Sequence, residues 1–149
     1  METVKDVKTA REVTVSADSS TSLVANIKMG GQESKIDESV ADSGPDAYDY
    51  ILSALGACTA ITLHMYAKRK EWPLERVEVD LSHERVHTVD CDHSDENEAK
   101  LSQITKKLRL IGDLTPEQKL RLHEISGKCP VQKTLQAGLI VKTVLIEQV

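Results

Sequence analysis

Tyr48-Asp-Tyr-Ile-Leu-Ser-Ala-Leu-Gly-Ala-Cys58-Thr-Ala-Ile-Thr-Leu63 runs on through His64-Met-Tyr-Ala-Lys-Arg-Lys70 to Trp72-Pro73, and this stretch decides the fold. It is apolar on nearly every side, with short polar interruptions at Ser53, Gly56, Thr59 and Thr62. That pattern predicts a central helix, buried in a sheet protein or at a subunit interface. Lys68, Arg69 and Lys70 complement the negative end of the helix dipole, and Trp72-Pro73 closes the helix. From Tyr48 to Ala67 the run is almost long enough to span a bilayer. Its polar interruptions are expensive at membrane depth, so no membrane partner is expected.

On either side the chain alternates like a sheet. Arg11-Glu-Val-Thr-Val-Ser-Ala17 and Ser22-Leu-Val-Ala-Asn-Ile-Lys-Met29 have period two and are separated by the polar turn 18–22, a hairpin signature. After Gly30-Gly31 a further strand is expected at Glu33–Val40, and the loop Ala41–Asp46 delivers the chain into the long helix. Period two returns at Val77–Val89, at Ile104–Ile111 and at Leu139–Ile146. Between the last two, Thr115-Pro-Glu-Gln118 supplies an N-cap, a proline at the first helical position and a capping-box glutamine, so a short helix should begin there and end near Gly127. Strands and helices alternate irregularly, with no internal repeat or linker. The expected class is α+β, as a single domain over residues 1–149.

Composition narrows the function. The chain has 149 residues, enough for a real core, and that core must be aliphatic because aromatics make up 3% and phenylalanine is absent. A formal charge of -5 with no Lys/Arg run argues against a nucleic-acid partner. The mixed charges of Met1–Ala10 lack an apolar core, so neither a signal nor a transit peptide is expected and a cytoplasmic, reducing location follows. Three cysteines there are free, metal-bound or catalytic sooner than stapled.

Two of them have contexts that make a buried thiol reactive. Cys58 lies inside the long helix. Cys129 opens another, in Gly127-Lys-Cys129-Pro130-Val-Gln-Lys-Thr-Leu135, where Pro130 suits the first helical position and puts Cys129 at the N-cap. A thiol there faces free backbone N–H groups and the positive end of the dipole, which lower its pKa. Both cysteines also have an ordinary reading, Cys58 as a small core residue and Cys129 as an indifferent cap, as do Asp49, a favourable charge in a first helical turn, and His64, a structural histidine.

The segments Gly44–Thr59, Met65–Leu74, Gly112–Gln118 and Cys129–Leu135, in this order, resemble the OsmC/Ohr family, especially its OsmC-like branch. The resemblance implies antiparallel sheets around long central helices, two protomers intertwined as a homodimer, and active sites near the dimer interface. It further implies a thiol peroxidase that reduces organic hydroperoxides without a cofactor and is recharged by a dithiol or a low-molecular-weight thiol. Carried over, the nucleophile is Cys58, the resolving thiol Cys129, and Asp49 stands where OsmC-like relatives usually have the acid that orients a catalytic arginine. Ohr relatives take that arginine from the N-terminal hairpin turn. This chain has no arginine between Arg11 and Arg69, which leaves Arg11, Lys28 and Lys35 as alternatives.

A rival chemistry sits elsewhere. His83, His87, Cys91 and His93 fall close together, and Cys91-x-His93 is a fragment of a soft-metal site. The ligand count is short for tight zinc, and the acidic run around it suits a solvated hairpin, so no metal is expected. A third possibility is an OsmC-like dimer that captures a small apolar or electrophilic ligand without turnover.

Overall fold

The computed structural model describes residues 11–21, 23–39, 44–87 and 100–146. The chain divides into two compact units, Met1–Tyr50 and Ile51–Val149.

In the first unit three antiparallel strands, β1 (Val13–Ser16), β2 (Val24–Met29) and β3 (Gln32–Asp37), form a sheet in the order β1-β2-β3. Met29 pairs with Gln32, leaving a two-residue turn of Gly30 and Gly31. Both glycines have positive φ, 56° and 79°, as the mirror-image turns that suit the strand twist require. The hairpin expected across the turn 18–22 is present, with β1 paired antiparallel to β2 from Val13 opposite Met29 to Ser16 opposite Asn26. The expected strand at 33–40 stops at Asp37, whose carboxylate accepts hydrogen bonds from the N–H and hydroxyl of Ser39 and turns the chain away. Residue 40 lies outside the described residues.

The long helix α1 (Ala47–Lys70) begins at the end of this unit. Asp46 and Asp49 cap it reciprocally: the Asp49 N–H donates to Asp46 Oδ1 at 3.0 Å and the Asp46 N–H to Asp49 Oδ2 at 2.8 Å. At the other end Glu71 takes φ 62°, the Glu71 N–H donates to the Lys68 carbonyl and the Trp72 N–H to that of Ala67. These two bonds form a Schellman motif.

In the second unit β4 (Leu74–His87) and β5 (Lys100–Gly112) pair antiparallel along their whole length, with a bulge between Leu74 and Arg76. Helix α2 (Pro116–Ser126) starts with the expected capping box, in which Thr115 Oγ1 accepts from the Gln118 N–H and Gln118 Oε1 from the Thr115 N–H. Helix α3 (Pro130–Ala137) follows. The buried face of α1 repeats at helical spacing, Leu55, Gly56, Thr59, Leu63, Tyr66 and Ala67. Leu63, Tyr66 and Ala67 join Leu122 and Ile125 of α2 in a core against which Trp72, Val77, Leu108 and Leu110 pack. The core is aliphatic apart from Tyr66, which meets Trp72 edge to face, so two of the few aromatic residues are used there. Gly56 lets α1 approach β4: a Cβ there would meet Leu81 Cδ1 at 2.8 Å.

Residues 139–146 depart from expectation. They alternate like a strand, yet they adopt no regular structure, and Ile140, Leu145 and Ile146 are more than four-fifths exposed. A strand needs a ladder partner for its N–H and C=O groups, and this segment has none among the described residues. Strand β5 is also longer than Ile104–Ile111, because its pairing with β4 continues to His87 and Lys100.

Candidate functional site

Three elements of the second unit bring the candidate site residues together. Cys58 and Thr59 are consecutive on α1, Lys106 projects from β5, and Cys129 is the N-cap of α3, with φ -69° and ψ 144° and Pro130 behind it. Period two puts Ile104, Lys106, Leu108 and Leu110 on one face of β5. A lysine thus takes a position that its neighbours mark as apolar.

Lys106 is half-buried, and its ammonium is held at two points. It donates to Thr59 Oγ1 at 2.9 Å and to the Ser126 carbonyl at the end of α2 at 2.9 Å. Thr59 Oγ1 lies 3.5 Å from Cys129 Sγ. An ammonium can only donate. The Thr59 hydroxyl accepts from Lys106 and stands within hydrogen-bond reach of the sulfur, donating to it when it is a thiolate and able to accept from it when it is a thiol, which links Lys106, Thr59 and Cys129 in a relay. Thr59 and Cys129 are both fully enclosed, whereas Cys58 is only half-buried.

The charges match this geometry. Burial pushes the Cys129 thiol up, but the Thr59 hydroxyl, the Gln132 N–H, the Cys58 thiol and the Lys106 charge together hold it below its ordinary value. The Gln132 N–H faces the sulfur without closing a side-chain capping bond, so it acts as one of the dipoles at the helix end. Burial likewise holds Lys106 below the ordinary lysine range, and the groups that oppose this are Cys129 and Cys58. Among the described residues the negative partners of this cation are sulfurs, not carboxylates.

Beside the relay lies a cavity of about 1010 Å³ lined by Leu55, Ile104, Leu108 and Leu135 on its apolar side and by Lys106 and Gln132 among its polar groups. Asp49, the third expected site residue, belongs to the first unit, where its carboxylate is engaged in capping α1. Strand pairing sets His83 opposite Ile104 and His87 opposite Lys100, while Cys91 and His93 lie outside the described residues. No cluster of metal-ligating side chains occurs among the described residues. Lys106 and Thr59 were not singled out from the sequence. The signal for Lys106 was there, as a cation on the apolar face of a strand. For Thr59 there was none beyond its adjacency to Cys58.

A family model described as OsmC-like protein matches residues 38–144. The fold is similar to that of an OsmC-like protein from Mycoplasma pneumoniae, with a TM-score of 0.67 at 15% identity over 87% of this chain and 89% of that one. It is similar to an organic hydroperoxide resistance protein OsmC from Legionella pneumophila, with a TM-score of 0.62 at 10% identity over 86% and 90%. A third similar structure is the organic hydroperoxide resistance protein OhrB of Bacillus subtilis, with a TM-score of 0.58 at 15% identity over 83% and 88%. No curated protein matches the sequence. With the family model covering most of its length, the chain belongs to the OsmC-like protein family.

Proposed function

We propose that this protein is a two-cysteine thiol peroxidase that reduces organic hydroperoxides to alcohols, with Cys58 as nucleophile, Cys129 as resolving thiol and Lys106 as the cation that serves both. The observation that carries the reading is the half-buried Lys106, whose opposing charges are the two cysteine sulfurs and whose ammonium reaches one of them through Thr59. The difference in exposure supports the division of roles, since a peroxide meets the half-buried Cys58 before the enclosed Cys129.

The cycle balances with these groups. The Cys58 thiolate attacks the terminal peroxide oxygen; an S–O bond forms, the O–O bond breaks, and the alkoxide takes a proton from Lys106 to leave as the alcohol. The Lys106 amine then withdraws the Cys129 proton through Thr59. The Cys129 thiolate attacks the Cys58 sulfenic acid, giving a disulfide and a hydroxide that Lys106 protonates to water. Two thiols of an external reductant restore both cysteines as their own disulfide forms, and Lys106 regains its proton from Cys58.

The proposal includes a cytoplasmic homodimer in which both units act as one domain. Support for the dimer is the apolar surface left uncovered in one chain: the tail from Leu139 to Ile146, together with Ile61 and Met65 on α1. We assign Asp49 the capping role, so Asp49→Asn should lower the melting temperature and leave turnover per folded molecule unchanged.

The test of the activity is free-thiol content and intact mass after one equivalent of cumene hydroperoxide. Loss of two thiols with a decrease of about 2 Da, the two hydrogens removed on forming a disulfide, is expected for the wild type. Cys58→Ser should abolish the loss and Cys129→Ser should stop at the sulfenic acid. Thiols that survive one equivalent of peroxide would exclude the peroxidase.

A further inference from the structure

Cys58 and Cys129 differ in two ways that bear on how a bond between them is opened. Cys58 is half-buried, whereas Cys129 is fully enclosed. The Cys58 thiol is among the hydrogen-bonding groups at the Cys129 sulfur, so the two sulfurs face each other. Cys129 also holds the N-cap of α3, with the Gln132 N–H facing its sulfur and Thr59 Oγ1 at 3.5 Å. Because Thr59 Oγ1 accepts from Lys106, its own hydrogen is available to a sulfur that carries charge. A disulfide is opened by a thiolate that attacks one sulfur and expels the other, and the reaction favours attack at the accessible sulfur and departure of the better stabilised thiolate. Here both preferences select the same direction, with Cys58 attacked and Cys129 expelled.

We infer that Cys58 is the S-thiolation site of this protein: an external thiol attaches to Cys58, and Cys129 departs as a thiolate among the donors of Thr59 and the α3 N-terminus. The inference rests on the two-cysteine reading and adds the direction in which the oxidised site is reopened. In the first step an S–S bond forms between the reductant sulfur and Cys58, the Cys58–Cys129 bond breaks, and its electron pair stays on Cys129. A second thiol then attacks the reductant sulfur, which leaves as the reductant's own disulfide and releases the Cys58 thiolate. The protein disulfide gains the two electrons that the two thiols lose, and the two protons they bring end on Cys129 and Lys106. The opposite direction requires a reductant to displace enclosed side chains, since neither Cys129 nor Thr59 has exposed surface.

The test closes the bond with diamide, which oxidises paired thiols without a peroxide and so does not depend on peroxidase activity. Cys91→Ser removes the third thiol. The oxidised protein is mixed with β-mercaptoethanol, quenched in acid after short intervals, alkylated with N-ethylmaleimide and mapped by peptide mass. The first product should carry mercaptoethanol on Cys58 and maleimide on Cys129, in about tenfold or greater excess over the reverse isomer. Thr59→Val should slow the opening severalfold because the leaving thiolate loses a donor, while Thr59→Ser keeps the hydroxyl and should stay near the wild-type rate. Mercaptoethanol on Cys129, equal amounts of the two isomers, an opening rate unchanged in Thr59→Val, or failure of diamide to join the two cysteines overturns the inference. Mercaptoethanol on Cys129 in a protein that consumes peroxide would leave the peroxidase reading intact. Thiolation of Cys58 in a protein whose thiols survive cumene hydroperoxide would uphold the inference and end the peroxidase reading instead.

Discussion

Lys106 Nζ donates to Thr59 Oγ1 at 2.9 Å, and through that hydroxyl a strand cation acts on a cysteine at the start of a different helix. The relationship answers the electrostatic difficulty of the site. A thiolate in an aliphatic pocket needs a cation, and burial alone would drive both groups toward their neutral forms.

Lys106→Met should therefore lower peroxide consumption by roughly 10²-fold, the scale found when one preorganised donor to developing charge is removed. Its second signature is a displaced pH profile. Because Lys106 helps to hold the Cys129 thiol below its ordinary value, removing it moves thiol alkylation toward alkaline pH. Lys106→Arg keeps the charge, so its profile should stay closer to the wild type even if turnover falls. An alkylation profile identical in wild type and Lys106→Met would mean that the lysine does not act on the thiols.

Thr59→Val separates the relay from the charge. The substitution nearly preserves volume but removes the hydroxyl, leaving Cys129 without its hydrogen bond and Lys106 with one partner fewer. The alkylation profile should move in the same direction as in Lys106→Met and by less. Stability carries the same sign. With the folded thiol held down, the unfolded chain binds more protons between the folded Cys129 value and the ordinary thiol range, so the reduced protein gains stability as pH rises through that window. That contribution is complete above the unfolded value and lost as pH falls through the folded one. Denaturant midpoints measured across this window should rise in wild type and rise less steeply in Cys129→Ser.

Much of this was legible in the sequence because it was local. The Thr115–Gln118 capping box, the Gly30-Gly31 turn, the cap position of Cys129 and the long helix all depend on neighbours within a few residues. The site cation was not legible in that way. The turn 18–22, where the family resemblance implies an arginine, has no basic residue, and the cation that reaches Cys129 comes from β5, 48 residues beyond Cys58. The period-two face through Ile104, Leu108 and Leu110 did mark Lys106 as misplaced, but a lysine on an apolar face identifies its partner only once the fold is known. The tail at 139–146 failed in the opposite sense, since its alternation was read correctly but a strand also needs something to pair with.

Glu71 closes α1 in the left-handed region at φ 62°, at the position where the Schellman motif favours glycine. A side chain there costs about 1–2 kcal/mol relative to a right-handed conformation. Glu71→Gly relieves that strain but adds freedom to the unfolded chain, so the net gain should be below about 1 kcal/mol. Urea denaturation should show a higher midpoint with an unchanged slope, and turnover should not move. A lower midpoint would show that the glutamate side chain has a role of its own at the helix end.

Gly56 and Leu81 test how closely α1 must approach β4. A Cβ at position 56 would lie 2.8 Å from Leu81 Cδ1 but 3.9 Å from Cγ, so the clash falls on the end of a flexible side chain. Overpacking of this kind costs about 1–3 kcal/mol, while alanine gains about 1 kcal/mol over glycine within a helix. Gly56→Ala should therefore be destabilising by no more than about 2 kcal/mol in the wild type, the difference of those two terms. In a Leu81→Ala background the clash is gone and only the helix term remains, so the same substitution should be stabilising by about 1 kcal/mol. The sign change between backgrounds is the coupling between the two residues, measured by chemical denaturation of the four proteins. The same cost in both backgrounds would mean that the glycine makes room for something other than Leu81.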